Sequence, residues 1–139
     1  MRRLQKYLPL FVLFLAGCTG FTGFVVISNG HLLVSLTINP TVANAGQFPG
    51  GQVQFIATGN FNTNPTPVNP MSNIVWTVDQ SPFVTMPVPV NATISPSGVA
   101  QCTPGFIGTV QVFATAPANP NIALSASNQV VGTAVLHCP

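Results

Sequence analysis

Few side chains in this chain are able to do chemistry. The 139 residues include a single acid, Asp79, together with two histidines, His31 and His137, and three cysteines. A general acid–base pair, a glycosidase dyad or an oxygen-ligand metal cage needs at least two acidic groups or their equivalents. The histidines lie near opposite ends of residues 30–139, and no Gly-x-Ser-x-Gly motif accompanies them. These residues predict a protein that is not an enzyme and holds no metal or cofactor, with Asp79 in a turn.

Residues 1–17 have the pattern of an export signal. They contain every Lys and Arg of the chain, namely Arg2, Arg3 and Lys6, followed by an apolar run over residues 8–15. At about 1.5 Å per residue, that run is too short to cross about 30 Å of hydrocarbon. The residues that close it, Leu15-Ala16-Gly17-Cys18, resemble a bacterial lipobox. The resemblance implies cleavage before Cys18 and attachment of a lipid to its thiol.

Two alternatives stay open for this segment. Ordinary signal cleavage nearby would leave Cys18 incidental, and the mostly apolar residues 8–27 would be long enough for an uncleaved anchor. All three interpretations place the following residues outside the cytoplasm. Thr19 stands where an Asp would favour retention in the inner membrane, so the resemblance implies a lipid anchor at the outer membrane or cell surface. The predicted organisation is a signal peptide over 1–17, a tether over 18–31 and one domain over 32–139.

Residues 18–139 carry almost no charge. Removing residues 1–17 leaves 122 residues with no Lys or Arg and only Asp79 as an acid. Such a surface cannot release counterions from nucleic acid, which excludes nucleic-acid partners. Water must be bound by Asn, Gln, Thr and Ser instead. Disorder is disfavoured because apolar residues are frequent and the net charge is low.

Cys102 and Cys138 remain as a pair if Cys18 is lipidated. A pair of cysteines in an exported domain usually forms a disulfide, and this is the predicted pairing. The alternative is two unpaired buried thiols. A zinc site is disfavoured because two thiols are too few, and His137 and its neighbour Cys138 would point to opposite sides of a strand.

Alternation of apolar and polar residues begins at Leu32 and predicts half-buried strands. The predicted strands cover residues 34–38, 52–58, 74–78, 92–94, 99–102, 110–114 and 134–138, with a short piece at 83–86. Their inward positions predict a core that includes Phe55, Trp76, Ile94, Val112 and Leu136. Residues 60–72 are too rich in Pro for a central strand, and they and residues 116–128 are predicted loops. Many short strands joined by Gly and Pro turns favour a β-sandwich.

Several stretches resemble a bacterial immunoglobulin-like domain of the group 2 type. They are LTINP at 36–40, GQVQFIATG at 51–59, IVWTV at 74–78, ATISPSGVA at 92–100, GTVQVFAT at 108–115 and GTAVL at 132–136. The resemblance covers about residues 32–138 and implies an all-β, immunoglobulin-like sandwich of about seven strands, with Trp76 packed between the sheets and no catalytic residues. The Pro-rich segment, the position of Pro104-Gly105 and the Cys102–Cys138 pair depart from the family pattern.

These features favour a non-enzymatic envelope lipoprotein that presents its domain for adhesion, protein interaction or surface assembly. The loops 60–72 and 116–128, or an unpaired strand edge, are the candidate contact sites for a protein or polysaccharide partner. Phe48, Phe61 and Phe106 lie in or beside loops, either as plugs at the edge of the core or as an apolar patch. A carbohydrate-binding module at the cell surface is the alternative function. A hydrolase is disfavoured by the missing acids.

Overall fold

The computed structural model describes residues 30–80, 82–83 and 89–139. These residues form nine strand segments: β1 (Leu33–Asn39), β2 (Val42–Asn44), β3 (Gln52–Gln54), β4 (Ile56–Phe61), β5 (Val75–Val78), β6 (Ala92–Ile94), β7 (Val99–Cys102), β8 (Gly108–Ala116) and β9 (Val130–Cys138). Two single 3-10 turns, Ala45–Gln47 and Pro49–Gly51, lie between β2 and β3. The signal, the lipobox, most of the tether and most of the short piece at 83–86 lie outside the described residues.

The strands form three hydrogen-bonded sheets, which lie in two layers. The first layer, named sheet I here, combines the two-stranded sheet β1–β4 with the three-stranded sheet β3–β7–β6. β3 and β4 belong to one layer because Phe55 alone separates them. In the second layer, sheet II, the order is β2–β9–β8–β5, and β1 packs against β9 and β8 across the layers. The prediction of an all-β sandwich is confirmed.

Two runs of the chain change partners part-way along. Residues 52–58 were predicted as one strand, but β3 pairs with β7 and β4 pairs with β1, with Phe55 between them. The N–H of Phe55 donates to the carbonyl of Gly98 instead of entering a ladder (2.9 Å). Similarly, β1 ends before Pro40, and the next residues form β2, a strand absent from the prediction that pairs in parallel with β9. Pro40 has no N–H to donate, so the first ladder cannot continue through it.

The core lies between the two sheets. Its fully buried side chains include Phe55, Val53, Val110, Val112 and Leu136. Ile94 and Trp76 are partly buried and pack against this cluster. Part of the Trp76 side chain stays exposed to solvent, because β5 lies at the edge of sheet II. Among the described residues, β8 is the only strand that pairs with β5.

The predicted disulfide between Cys102 and Cys138 is confirmed. It joins the end of β7 in sheet I to the end of β9 in sheet II, with the two Cα atoms 5.8 Å apart. Cys138 is buried and Cys102 is partly buried. The bond therefore ties the two layers together at one end of the sandwich.

Candidate interaction surfaces

Asp79 has its carboxylate engaged in the fold. One carboxylate oxygen, Oδ1, accepts a hydrogen bond from the backbone N–H of Gln111 (3.1 Å), and Oδ2 accepts one from the side-chain amide of Asn91 (3.2 Å). The backbone N–H of Asp79 donates to the carbonyl of Gln111 (2.8 Å). Its φ of 57° lies in the left-handed region, which Asp tolerates better than most residues. Asp79 thus fastens the end of β5 to β8 and to the start of β6.

The two histidines lie at opposite ends of the sandwich. The ring of His31 stacks on that of Phe61, with centroids 4.0 Å apart, and its Nδ1 lies 2.9 Å from the hydroxyl of Thr63. His137 lies on β9, with Nδ1 3.1 Å from the hydroxyl of Thr109. Within the described residues, no group of three or more His, Cys, Asp or Glu side chains is arranged to hold a metal ion. The residues considered for catalysis are therefore not brought together.

One end of the sandwich, named the entry pole here, receives the chain from the N-terminal side. Leu33 begins β1 opposite Phe61 at the end of β4, and its N–H donates to the carbonyl of Ala118 (2.8 Å). The N–H of Leu32 donates to the side chain of Asn62 (2.8 Å). Both predicted contact loops, 60–72 and 116–128, therefore start at the pole where the tether would join the domain.

Asn128 organises the second of these loops. Its side-chain amide donates to the carbonyls of Asn119, Ile122 and Ala123, at 3.1–3.3 Å. Its Oδ1 accepts from the N–H of Asn119 (2.8 Å). A single side chain thus closes the segment on itself, as in a compact surface loop.

The opposite end, named the far pole here, contains the disulfide. A cavity of about 280 Å³ opens beside it, lined by residues that include Phe48, Phe106, Cys102 and Pro139. Exposed apolar side chains also occur in this part of the chain: Ile107 is 77% exposed and Val90 is 69% exposed. Thr103 holds Val90 in place by donating its hydroxyl proton to the carbonyl of Val90 (2.7 Å). The far pole is therefore partly apolar.

The three phenylalanines considered as core plugs do not form one patch. Phe61 is at the entry pole, whereas Phe48 and Phe106 line the cavity at the far pole. Phe61 and Phe106 pack against the core and are partly buried, and Phe48 is 38% exposed.

A second cavity, of about 410 Å³, lies beside Trp76. Its lining includes Trp76, Met71, Ile74, Gln54 and Ser97. The side-chain amide of Gln54 donates to the carbonyls of Phe55 and Ser97, each at 2.8 Å, and so holds the turn between β6 and β7 against β3. Apolar walls with a few polar groups are typical of small-ligand sites.

Gly98 allows the indole of Trp76, which lines this cavity, to lie close to the backbone. It has φ +83°, and a Cβ atom there would lie 2.5 Å from the carbonyl oxygen of Phe55 and 3.1 Å from two ring carbons of Trp76. The predicted turn at Pro96, Ser97 and Gly98 therefore also decides how close the indole comes to the backbone.

Both outer faces mix polar and apolar side chains. On sheet I the outward positions carry mostly hydroxyls and amides: Ser35, Thr37, Asn39, Gln52, Gln54, Thr58, Asn60, Thr93 and Gln101. Val99 and Ile56 also lie there, Ile56 40% exposed, and β1 exposes Val34 to 64%. On sheet II the outward positions include five apolar residues: Val42, Val75, Phe113, Val131 and Val135. The second face was not predicted from the sequence. The sequence feature that could have identified it is the presence of apolar residues at outward positions, where the alternation predicts polar ones. Phe113, between the inward Val112 and Ala114, is an example.

No protein-family model matches the chain, and no curated protein matches it. The described residues include no helix long and apolar enough to cross a membrane.

Proposed function

We propose that this chain is a non-enzymatic lipoprotein of the bacterial cell envelope. In this proposal Cys18 carries the lipid, residues 18–31 form the tether, and residues 32–139 are an immunoglobulin-like domain of the group 2 type. The domain serves adhesion, protein interaction or assembly of the envelope surface. The β-sandwich fold and the engagement of Asp79 in structural hydrogen bonds support a domain that binds rather than catalyses.

The position of the chain entry is the observation that carries this proposal. Leu32 and Leu33, which follow the proposed tether, lie at the entry pole, beside both long loops. A nine-residue strand is about 30 Å long, so the far pole stands about that distance further from an anchor at Cys18. We therefore assign partner binding to the far pole, where the disulfide limits motion and Ile107 and Val90 are exposed. The loops 60–72 and 116–128 and an unpaired strand edge, the contact sites named from the sequence, stay predictions.

The anchor is tested by replacing Cys18 in the full chain. Cys18→Ser removes the thiol that would accept the lipid, so the protein should move from the membrane fraction to the periplasmic or culture fluid. Mass spectrometry of the mature N-terminus should find a lipid-modified Cys18 in the original chain and none in the variant. Thr19→Ser is the matched control and should stay in the membrane. An unmodified Cys18 that keeps its upstream residues would overturn the lipid anchor.

The binding pole is tested with two exposed isoleucines. Ile107 lies at the far pole and is 77% exposed, and Ile122 lies in the loop at the entry pole and is 56% exposed. Ile107→Asn should reduce retention of the full chain on envelope fractions by about tenfold, the cost of losing one well-placed apolar contact. Ile122→Asn should leave retention unchanged. Because the surface has almost no charge, retention should vary little between low and high salt. Equal effects of the two substitutions would contradict the assignment of the far pole.

A carbohydrate-binding module is the second candidate, and the cavity beside Trp76 favours it. The cavity combines an indole with the amide of Gln54 and the hydroxyl of Ser97, groups that suit a sugar ring. However, the one stacked aromatic pair within the described residues is His31 on Phe61, which cover each other and form no open platform. Trp76 is the single tryptophan of the chain, so its fluorescence reports directly on this cavity. A change in its emission with polysaccharide, together with retardation in polysaccharide gels, would favour this function over the first.

A further inference from the structure

The two ends of the disulfide at the far pole differ in their access to solvent. Cys138, on β9, is 4% exposed and belongs to the core cluster. Cys102, at the end of β7, is partly exposed and lines the cavity of about 280 Å³, whereas Cys138 is not among the residues that line it. A reagent that enters the cavity therefore meets Cys102 and not Cys138.

The cavity has room for a small molecule beside Cys102. Its volume is far above the ~30 Å³ that one water molecule occupies in the liquid. Gly50, Gly51 and Gly105 form part of its wall, and a Cβ atom added at any of the three would have no other atom within 4 Å. On that side the wall is therefore bare backbone, and nothing narrows the approach.

Thiol–disulfide exchange depends on this kind of access. It begins when a thiolate attacks one sulfur of the bond, and the accessibility of each sulfur decides which one is attacked. Attack on Cys138 would require the core to open, whereas attack on Cys102 requires only entry into the cavity. We propose that Cys102 is the site at which this disulfide exchanges with small thiols and disulfides, with Cys138 as the resolving residue.

The opening of the bond takes two steps. A thiolate from the cavity attacks Sγ of Cys102, a mixed disulfide forms there, and Cys138 leaves as a thiolate that takes a proton from water. A second external thiolate then attacks the external sulfur of the mixed disulfide and frees Cys102, which is protonated in turn. The two electrons that reduce the protein disulfide come from two external thiols, which leave joined as one disulfide.

The closure of the bond is the same sequence in reverse, and the fold favours it. Cys102 attacks an external disulfide, and Cys138 then attacks Sγ of Cys102 and expels the external thiolate. The fold holds the two Cα atoms 5.8 Å apart, so the second step needs no large backbone movement. In the opening direction the thiolate of Cys138 is released within the core, where water solvates it poorly. The folded domain should therefore close this bond readily and open it slowly.

Two single-cysteine variants of the full chain test the two sulfurs separately. Cys18→Ser removes the third thiol from both; Cys138→Ala then leaves Cys102 alone, and Cys102→Ala leaves Cys138 alone. The probe is oxidised glutathione, and mass spectrometry measures the rate at which each chain gains one glutathione. In buffer, Cys102 should form the mixed disulfide at least about tenfold faster than Cys138. In unfolding concentrations of urea the two thiols should react at similar rates, which is the control for their intrinsic reactivity.

The native disulfide gives a second measurement that needs no destabilised variant. The chain with Cys18→Ser and the intact pair is treated briefly with reduced glutathione, quenched with acid, and its free thiols are blocked with N-ethylmaleimide. Chymotryptic peptides separate the two sulfurs, because Phe106 and Phe113 lie between them in the sequence. Chains with one glutathione should carry it on Cys102 and the maleimide on Cys138.

Equal amounts of glutathione on the two residues, or more on Cys138, would overturn the proposal. Equal rates of the two single-cysteine variants in buffer would also overturn it, provided that the fluorescence of Trp76 shows both to be folded. If either variant is unfolded, the measurement on the native disulfide decides. The lipid anchor and the binding partner of the proposed function take no part in this chemistry, so either result leaves the proposed function standing.

Discussion

Removal of the Cys102–Cys138 disulfide should cost this domain a large part of its stability. The bond closes a segment with a sequence separation of 36. Loop-closure entropy for that length gives about 4 kcal/mol of stabilisation at 25 °C, because the bond restricts the unfolded chain. Replacement of both residues by Ala adds about 1 kcal/mol, because Cys138 is only 4% exposed and its sulfur packs in the core. Typical stabilities are about 5–15 kcal/mol, so the loss is severe.

Urea unfolding of the full chain measures this loss, with the fluorescence of Trp76 as the signal. The original protein is compared with its reduced form and with the Cys102→Ala/Cys138→Ala double variant. With a slope of about 1–2 kcal/mol per molar, the midpoint should fall by roughly 2–4 M in the reduced form and slightly further in the double variant. Reductant added to the double variant is the control and should leave its midpoint unchanged.

The comparison separates the cross-link from the packing of sulfur. If reduction lowers the free energy of unfolding by less than about 1 kcal/mol, the bond does not stabilise this domain by restricting its unfolded chain. If only the double variant is destabilised, the sulfur atoms matter through their packing in the core.

Two further substitutions test single contacts. Gly98→Ala should destabilise the fold by at least about 2 kcal/mol in the same urea assay. The new methyl group would lie 2.5 Å from the carbonyl oxygen of Phe55, and φ at this position is +83°. Gly105→Ala is the control and should cost less, because Gly105 also has a positive φ (82°) but has open space around it. Thr115→Val should raise the free energy of unfolding by about 1 kcal/mol. The Thr115 hydroxyl is buried without a hydrogen-bond partner, and valine has nearly the same shape. A loss of stability would show that the hydroxyl has a hydrogen-bond partner in solution.

Much of the secondary structure could be predicted from local pattern. Alternation in β8 and β9 identified Val112 and Leu136 as inward residues, and both are completely buried. The turn at Pro96–Gly98 carried its own signal, because Gly tolerates the positive φ found there. The disulfide could be predicted because two cysteines remain once Cys18 is assigned to the lipid, in a chain with the pattern of an exported protein. The signal and Cys18 lie outside the described residues and remain predictions.

The choice of partner strands could not be predicted from alternation. A period of two fixes the side to which a residue points, but the pattern is the same whichever strand lies alongside. For this reason the alternation predicts one strand over residues 52–58, although the chain changes partner at Phe55, from β7 to β1. The parallel pairing of β2 with β9 was missed because three residues give too short a pattern.

The sequence alone determined that residues 18–139 contain a single Asp and no Glu, Lys or Arg, and it predicted short strands and an export signal, because composition and period are properties of neighbouring residues. Only the tertiary structure decided which surfaces it presents. Contacts between residues distant in sequence place the loops 60–72 and 116–128 at the pole of chain entry, leave the disulfide and Ile107 at the other pole, and bring Val42 and Val135 side by side on one outer face. These placements depend on long-range pairing, which local sequence does not record.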